Sequence, residues 1–409
     1  MRRVVTVVIR KMKSILVVIA AVTLLTPSAT VAQVKKVNVG DHRPATLNDG
    51  WRTTSAEALG VDSAALEKLT NSIRAWPELG VHAIIIERSG QLIYESYFDG
   101  FDERWGQPLG RITMTATTKH DLRSVTKSVI SALTGIALGE GAIKSLDQPL
   151  LEWFPEFPEL NAPDRRRITL AHVLSMTSGL KWNEEVPYSD PQNDEIRMTR
   201  DSNPLRFALS VPFATEPGAD FNYNGGLTQV MAAVIERATK MPIEDYARKK
   251  LFEPLGITDV EWVGDLAGMP AAASGLRLRP RDLAKFGSLY LHSGRWNGKQ
   301  VIPEAWVARS TRRQFRFRPR TGNDAGEFGY SYFWWYNCYP TDRGLIEARS
   351  AVGNGQQRVF VLPGLDMVVT ILAGRYNDFS TGATLATRIL REHIIPAVRT
   401  GIRSGCPAS

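Results

Sequence analysis

Short hydrophobic runs between polar residues predict strands near both ends of the chain. Residues 81–87 and 91–97 are rich in β-branched and aromatic side chains, and Ser89-Gly90 between them is typical of a tight turn, so this pair predicts a hairpin. Comparable runs return at residues 330–336, 358–362 and 367–372. Strands from both ends of a chain can pair in one antiparallel sheet.

Hydrophobic residues at helical spacing occur before and after these strands. Asp62 is an N-cap candidate for a helix whose apolar face runs from Leu66 to Trp76, and a last helix is predicted around residues 384–395. We therefore predict an α/β (α+β) fold in which an antiparallel sheet is flanked by N- and C-terminal helices.

The middle of the chain has a different pattern. Residues 150–260 are mostly helical in spacing, as at 170–176 and 227–239, with long polar loops such as 183–204 between the helices. This predicts a mostly helical subdomain, roughly residues 150–270, inserted into the sheet domain. A binding site is expected where the two regions meet.

The first 32 residues have the organisation of a secretory signal peptide. Basic residues precede an apolar stretch from Ile15 to Leu25, and Thr30-Val31-Ala32 supplies small residues at a cleavage site. The alternative is an uncleaved membrane anchor, but the apolar run is shorter than the roughly 20 residues that cross a bilayer. We expect cleavage after Ala32. Residues 33–409 would then be a periplasmic or secreted domain with no stable membrane anchor.

The charge balance argues against nucleic acid as a partner. The leader contributes five of the eight net positive charges, which leaves +3 on residues 33–409. One basic run remains, residues 312–320, and its composition favours a solvated loop over an anion-binding or membrane-binding patch. In an oxidising compartment Cys338 and Cys406 could pair in a disulfide or remain two free thiols, and the sequence leaves both open.

Ser124-Val125-Thr126-Lys127 stands where a helix is expected to begin. A serine three residues before a lysine places both side chains on one helical face, so a hydroxyl nucleophile lies beside an amine that can take its proton once burial has lowered the pKa of the amine. A second match, Ser178 to Lys181, is excluded because Gly179 ends a helix there.

Three further segments occur in a characteristic order after Ser124. They are residues 168–180, residues 217–226 with Tyr223-Asn224-Gly225, and residues 351–357 with Gly353-Asn354-Gly355. Together with Ser124–Lys127 they resemble the serine β-lactamase and penicillin-binding-protein superfamily. The resemblance is nearest to its class C-like branch of esterases and 6-aminohexanoate-dimer-hydrolase-like enzymes.

The resemblance implies a role for each motif residue. Ser124 would be the acylated nucleophile, Lys127 its neighbouring base, and Tyr223 a partner of the lysine in proton transfer. The backbone N–H groups of Ser124 and Asn354 would form the oxyanion hole, which stabilises a tetrahedral oxyanion by several kcal/mol. The predicted substrate-binding positions are Asn224, Gly353 and Gly355 of these motifs, together with Trp335, which lies in a run of alternating aromatic residues and could line the acyl pocket or pack in the core. The scattered histidines and two distant cysteines predict no metal site, and no cofactor is expected.

Two positions depart from the family pattern. Gly225 stands where the tyrosine motif has asparagine, so a side-chain amide is missing unless Asn224 or Gln229 supplies it. Ala351 stands where the family has the lysine of a K-T-G tripeptide. That lysine places positive charge near a substrate carboxylate. Arg349 or Arg358 could replace it, and the sequence does not show where either side chain points.

These features predict an exported, cofactor-free serine hydrolase that cleaves carboxylic esters or small linear amides through an acyl-enzyme on Ser124. A DD-peptidase or β-lactamase is the first alternative, and Ala351 and Gly225 argue against it. A catalytically silent binding protein of the same fold is the second alternative. The retention of Ser124, Lys127 and Tyr223 argues against that.

Overall fold

A computed structural model of the protein describes residues 43–318, 326–378 and 382–407. The predicted signal peptide lies outside these residues. Among the described helices, none is both long and apolar enough to cross a membrane.

Short and long strands alternate with helices along the described chain. The strands are β1 (Arg52–Thr53), β2 (Val81–Arg88), β3 (Gln91–Tyr97), β4 (Gly100–Arg104), β5 (Gln107–Ile112), β6 (His120–Asp121), β7 (Glu261–Trp262), β8 (Leu276–Leu278), β9 (Arg295–Trp296), β10 (Lys299–Gln300), β11 (Phe315–Arg316), β12 (Glu327–Tyr330), β13 (Trp335–Thr341), β14 (Gly344–Gly353), β15 (Gln357–Leu362) and β16 (Met367–Ala373). The helices are α1 (Ser63–Ala75), α2 (Val125–Gly139), α3 (Leu170–Leu174), α4 (Asp194–Thr199), α5 (Pro204–Ser210), α6 (Gly225–Thr239), α7 (Ile243–Ala247), α8 (Pro280–Leu291), α9 (Glu304–Thr311), α10 (Gly382–Arg388) and α11 (Ile395–Ala397).

The central feature is a nine-stranded sheet in the order β1-β3-β2-β16-β15-β14-β13-β12-β11. The N-terminal hairpin β2–β3 joins the C-terminal strands where β2 pairs antiparallel with β16, with Ile85 opposite Thr370. Every pairing in the sheet is antiparallel except that of β1 with β3. The predicted α/β (α+β) fold with one antiparallel sheet is confirmed.

The sheet separates two hydrophobic cores. Alternate residues of β2 point to opposite faces, so Ile85 packs in the core with α2, α6 and α8 while Ile84 and Ile86 pack in the core with α1 and the C-terminal helices. Each side chain so buried stabilises the fold by about 1.5–3 kcal/mol. Residues 150–270 contain α3 to α7 on the α2 side of the sheet, and their boundaries as a subdomain stay a prediction.

Three local predictions were wrong. Helix α1 ends at Ala75, and Trp76 is 61% exposed, because Pro77 disfavours helical backbone in the residue before it. The run 330–336 is not one strand: β12 ends at Tyr330, and a turn precedes β13. The loop 183–204 contains helix α4, whose first backbone N–H groups are capped by the Asn193 side chain.

The start of the basic run 312–320 forms an edge strand with ion pairs, where a solvated loop was predicted. Phe315 lies in β11, at the edge of the sheet, and its ring packs against Phe221. Arg313 and Arg316 both pair with Glu327 of β12. Residues 319 and 320 lie outside the described part of the chain.

Cys338 and Cys406 form a disulfide, which resolves the alternative that the sequence left open. Cys338 lies in β13, and the bond joins the C-terminal residues of the described chain to this strand. The parallel bridge from Gly405 to Ile346 of β14 lies beside it. The disulfide thus holds the tail against the sheet.

Removing this bond should lower stability. Cys406→Ser is expected to reduce the free energy of unfolding by about 4 kcal/mol, because the unfolded chain regains the freedom of a closed loop of 68 residues. Denaturant unfolding of the purified variant and of the oxidised wild type measures the difference. The reduced wild type is the control and should match the variant. Equal midpoints for all three would contradict the prediction.

Candidate active site

The predicted nucleophile lies at the buried beginning of α2. Strand β6 ends at Asp121, and the chain then turns sharply through Arg123, which has a positive φ of 50°. Ion pairs to Glu103 and Asp121 hold the Arg123 side chain in this turn. Ser124 follows, 8% exposed, directly before the first turn of a helix whose residues are almost all buried.

Lys127 lies one helical turn later and points at Ser124. Its Nζ is 3.1 Å from Ser124 Oγ, 3.1 Å from the carbonyl oxygen of Ala273 and 3.5 Å from Glu195 Oε2. Burial alone would lower the pKa of Lys127, but the Glu195 carboxylate, followed by Tyr223, holds this pKa above its usual value. The expectation of a lowered lysine pKa was therefore wrong, because the sequence did not reveal the buried carboxylate. Lys127 is an ammonium in this site.

Tyr223 completes the predicted group of three. It lies in the segment before α6, and its ring centroid is 5.0 Å from Lys127 Nζ. The Tyr223 hydroxyl interacts with both Ser124 and Lys127, and burial raises its pKa. Thus residues far apart in sequence meet at one point.

Asn354 lies beside Ser124 as well, at the end of a strand of the central sheet. It follows Gly353, the last residue of β14, and it lines the same cavity as Ser124. Its side-chain Nδ2 donates to Asn377 Oδ1 at 2.8 Å, and its Oδ1 accepts from the Asn377 N–H at 2.8 Å. These two bonds fix the turn that carries the backbone N–H predicted for the oxyanion hole.

The two glycines of this motif shape the turn. A Cβ on Gly353 would lie 2.3 Å from the carbonyl oxygen of Leu122, so only glycine lets β14 come this close to the Ser124 turn. Gly355 has a φ of +88°, which other residues rarely adopt. The structure places both glycines as shaping elements beside the cavity, not among the residues that line it.

The other two predicted substrate-binding residues also lie beside the cavity. The Asn224 side chain accepts from the Leu227 N–H and caps α6. The Trp335 ring packs 6.0 Å from the ring of Tyr223 and contacts Tyr330. Trp334, its neighbour in sequence, is fully buried in the core.

The cavity at Ser124 has a volume of about 420 Å³. Its walls combine apolar side chains with charged groups. It is lined by Glu103, Trp105, Gly106, Gln107, Arg123, Ser124, Tyr188, Ser189, Glu195, Ile196, Thr199, Arg200, Leu266, Ser274, Asn354 and Asn377.

Two carboxylates at this site were not predicted from the sequence. Glu195 lies in the first turn of α4, 3% exposed, and its Oε1 accepts from Ser274 Oγ at 2.7 Å. Glu184 lies beside it, and accepts from Tyr188 OH at 2.9 Å and from Trp182 Nε1 at 2.6 Å. The one signal in the sequence was Asn193-Asp194-Glu195, an N-cap followed by acidic residues inside a segment predicted as loop.

The two carboxyl groups have opposite pKa shifts. Burial, together with the charge of Glu195, raises the pKa of Glu184 to about 8. Burial would also raise the pKa of Glu195, but the Lys127 ammonium and hydrogen bonds from Glu184 and Ser274 hold it below its usual value. At neutral pH the pair therefore carries one proton on Glu184 and one negative charge on Glu195.

Gly225 makes room for this pair. A Cβ at position 225 would lie 2.4 Å from Glu195 Oε2 and 3.0 Å from Glu184 Oε2. The carboxylates therefore occupy the space that an asparagine side chain would need. Gln229 does not compensate, because its amide is bonded to the backbone of Pro270 and Ala272.

Neither arginine suggested as a replacement cation reaches the cavity. Arg349 pairs with Glu347, and Arg358 is bonded to the carbonyl oxygens of Gly353 and Gln357, where burial lowers its pKa to about 10. Ala351 itself is fully buried in the core. Arg123 and Arg200 are the arginines that line the cavity.

One group of potential metal ligands occurs in the described residues. His82, Asp102 and His120 place ligand atoms within 4.8 Å of one another, and all three are buried. His82 Nδ1 is hydrogen-bonded to His120 Nε2 at 2.9 Å, and Asp102 accepts from Tyr376 OH at 2.8 Å. Burial, then the charge of His120, lowers the pKa of His82 to about 4. None of the three lines the cavity at Ser124.

Comparisons with known proteins agree with this geometry. The β-lactamase family model matches residues 73–393. The chain is 26% identical to the 6-aminohexanoate-dimer hydrolase of Paenarthrobacter ureafaciens over 338 residues, which cover 78% of this chain and 79% of the relative. It is 31% identical to esterase EstB of Burkholderia gladioli over 191 residues, 44% and 46% of the two chains.

A solved structure supports the fold. The octameric penicillin-binding protein homologue from Pyrococcus abyssi superposes with a TM-score of 0.59 at 20% identity, covering 80% of this chain and 77% of that one. The family match spans most of the chain and includes every motif that meets at Ser124. The protein belongs to the β-lactamase family of serine hydrolases.

Proposed function

We propose that this protein is an exported hydrolase that cleaves carboxylic esters or small linear amides through an acyl-enzyme on Ser124. One observation carries the proposal: Lys127 Nζ lies 3.1 Å from Ser124 Oγ at the buried start of a helix, beside a cavity of about 420 Å³ that Asn354 also lines. The names of the relatives, a hydrolase of a linear amide dimer and an esterase, support this substrate class.

The chemistry follows from these positions. Ser124 Oγ attacks the carbonyl carbon while its proton passes to the group formed by Lys127 and Tyr223. The backbone N–H groups of Ser124 and Asn354 stabilise the oxyanion, and the start of α2 favours the same negative charge. The leaving alcohol or amine takes this proton. Water then attacks the acyl-enzyme, and the same proton transfers in reverse order release the acid and restore Ser124.

The two alternatives have less support. A DD-peptidase or β-lactamase cleaves an amide bond in a substrate that also carries a carboxylate, and Ala351 offers no cation to that carboxylate because it is buried and apolar. A silent binding protein needs no nucleophile aligned with a buried base. Yet Ser124, Lys127 and Tyr223 meet within contact distance.

Export is part of the same proposal. The basic and apolar leader of residues 1–32 supports it, as does the disulfide between Cys338 and Cys406, because disulfides persist mainly in oxidising compartments. Mass spectrometry of the mature N-terminus tests cleavage after Ala32.

A fluorophosphonate probe is expected to label the folded protein on Ser124, because the probe reacts with an activated serine and mimics the tetrahedral intermediate. Peptide mass spectrometry identifies the labelled residue. Ser124→Ala is the control and should not be labelled. Labelling at Ser178, which is 2% exposed, or no labelling of the folded protein would contradict the proposal and favour the silent binding protein.

A further inference from the structure

The resting state of Lys127 poses a problem for the proposed reaction. An ammonium has three N–H donors and no lone pair. Lys127 Nζ lies within 3.1–3.5 Å of Ser124 Oγ, the Ala273 carbonyl oxygen and Glu195 Oε2, and the Tyr223 hydroxyl is beside it as well. All its donors are therefore in use. It cannot take the Ser124 proton until it has released one of its own.

The neighbours of Lys127 differ in their ability to accept that proton. The Ala273 carbonyl is a backbone amide oxygen and is not a base. Burial raises the pKa of Tyr223, so the tyrosine keeps its own proton. Among the described residues in contact with Lys127, Glu195 is the one that carries a negative charge, and its Oε2 lies 3.5 Å from Lys127 Nζ.

We propose that Glu195 is the final acceptor of the Ser124 proton, which it receives through Lys127. This inference rests on the proposed acyl-enzyme function and adds a residue that acts through the lysine. As Ser124 Oγ attacks, its O–H bond breaks and a new N–H bond forms at Lys127 Nζ. Another N–H bond of Lys127 breaks, and an O–H bond forms at Glu195 Oε2. Atoms and charges balance: the charge of Glu195 moves to the substrate oxyanion, and Lys127 remains an ammonium throughout.

The surroundings of Glu195 fit this role. Ser274 Oγ donates to Glu195 Oε1 and in turn accepts from Trp105 Nε1 at 3.1 Å, so one oxygen is held while Oε2 faces Lys127. Gly225 leaves the space that both carboxyl groups need.

Several titratable groups face Glu195 and Lys127 and will shape the pH dependence. They are Tyr223 before α6 and Glu184 and Tyr188 in the loop before α4, and Tyr330 of β12 interacts in turn with Tyr223 and Glu184. Burial is the largest cause of the raised pKa of Glu184, Tyr188 and Tyr330. These three are therefore protonated at neutral pH, and Glu195 carries the charge that changes during the reaction.

Glu195→Gln tests the inference, because glutamine keeps the shape and cannot accept a proton. At neutral pH we expect kcat for a neutral ester to fall about 100-fold or more, as for the loss of a general base. KM should change by less than about threefold, since ground-state binding does not use this proton. Glu195→Asp, which retains a carboxylate, should recover part of the lost kcat.

The pH profile separates this role from a structural one. Wild-type activity should persist below the usual pKa of a glutamate, because the pKa of Glu195 is held low by Lys127 against the effect of burial. In Glu195→Gln the residual activity should instead rise toward alkaline pH, where Lys127 loses its proton and becomes a base on its own. A purely structural loss would lower activity at every pH by the same factor.

Glu185→Gln is the matched control, because Glu185 is exposed and is adjacent in sequence to Glu184. It should leave kcat and the pH profile unchanged. A Glu195→Gln variant with kcat within about threefold of wild type at neutral pH would overturn the inference. The proposed function would then still stand if wild-type Ser124 is labelled and esters are cleaved. Failure of that labelling would instead overturn the function itself.

Discussion

Lys127→Ala is expected to lower kcat for an ester substrate on the order of a thousandfold, because Ser124 would lose the only amine within hydrogen-bonding distance of its hydroxyl in the described structure. Tyr223→Phe removes the hydroxyl that interacts with both Ser124 and Lys127, and should cause a loss of similar order. The double variant should lose little more than either single one, since residues that act as a unit are non-additive. Steady-state kinetics on all three variants measures the effect.

Two control variants keep the comparison matched. Lys181→Ala removes the exposed lysine of the second Ser-x-x-Lys sequence, and Tyr332→Phe removes a hydroxyl from a ring that stacks on Trp306, away from the cavity. Both should keep near-normal kcat. Full additivity of Lys127→Ala and Tyr223→Phe would show that the two act separately, and normal activity of Tyr223→Phe would remove that residue from the mechanism.

The sequence predicted those parts of the fold that depend on local patterns. The nearly continuous apolar run of β2 identifies a strand with two buried faces, and the apolar spacing after Ser124 identifies α2, because both signals lie within one element. The sheet followed from having such strands at both ends of the chain. The break between Tyr330 and Trp335 was missed because aromatic residues continue through the turn, where Phe333 adopts a positive φ of 61°.

Sequence motifs named some of the residues that meet at the candidate site and missed others. Ser124, Lys127, Tyr223 and Asn354 each belong to a motif, and the structure brings them together. Glu195 belongs to none. Its importance comes from contacts with Lys127 and with Ser274, which are 68 residues before it and 79 residues after it. No local pattern reports such a contact.

The sign of the Lys127 pKa shift depends on this same long-range contact. Burial alone predicts a lowered lysine pKa, and that expectation is physically sound for an isolated amine. The Glu195 carboxylate 3.5 Å away, together with Tyr223 and Glu184, reverses the direction of the pKa shift, because their combined interactions with the ammonium outweigh the cost of burying it. The direction of a pKa shift at a buried site therefore depends on all the neighbouring groups, and only the folded structure shows which groups these are.

The cations near the cavity decide the last prediction, which concerns substrate choice. The lysine of the family's K-T-G motif is replaced by the buried Ala351, and Arg349 and Arg358 are bonded elsewhere. Arg123 lines the cavity but pairs with Glu103 and Asp121. Arg200 is the remaining cavity arginine, and it is exposed, with no ion pair to any described residue.

We therefore expect a neutral short-chain p-nitrophenyl ester to be hydrolysed with a kcat/KM at least ten- to a hundredfold above that of a chromogenic cephalosporin. A charge-assisted hydrogen bond to the cephalosporin carboxylate contributes about 1.5–3 kcal/mol, and each 1.4 kcal/mol is about a factor of ten. A neutral ester does not use that bond, and its leaving group departs more readily than an amine. Parallel kinetics on the two substrates measures the ratio.

Arg200→Ala distinguishes the remaining possibilities. If the ester preference reflects a missing cation, this variant should leave ester hydrolysis unchanged, because a neutral substrate makes no ion pair with Arg200. Efficient cephalosporin hydrolysis by the wild type would contradict the esterase proposal in favour of a β-lactamase. In that case Arg200 would be the cation that replaces the family lysine, and its loss should reduce the cephalosporin rate about tenfold or more while sparing the ester.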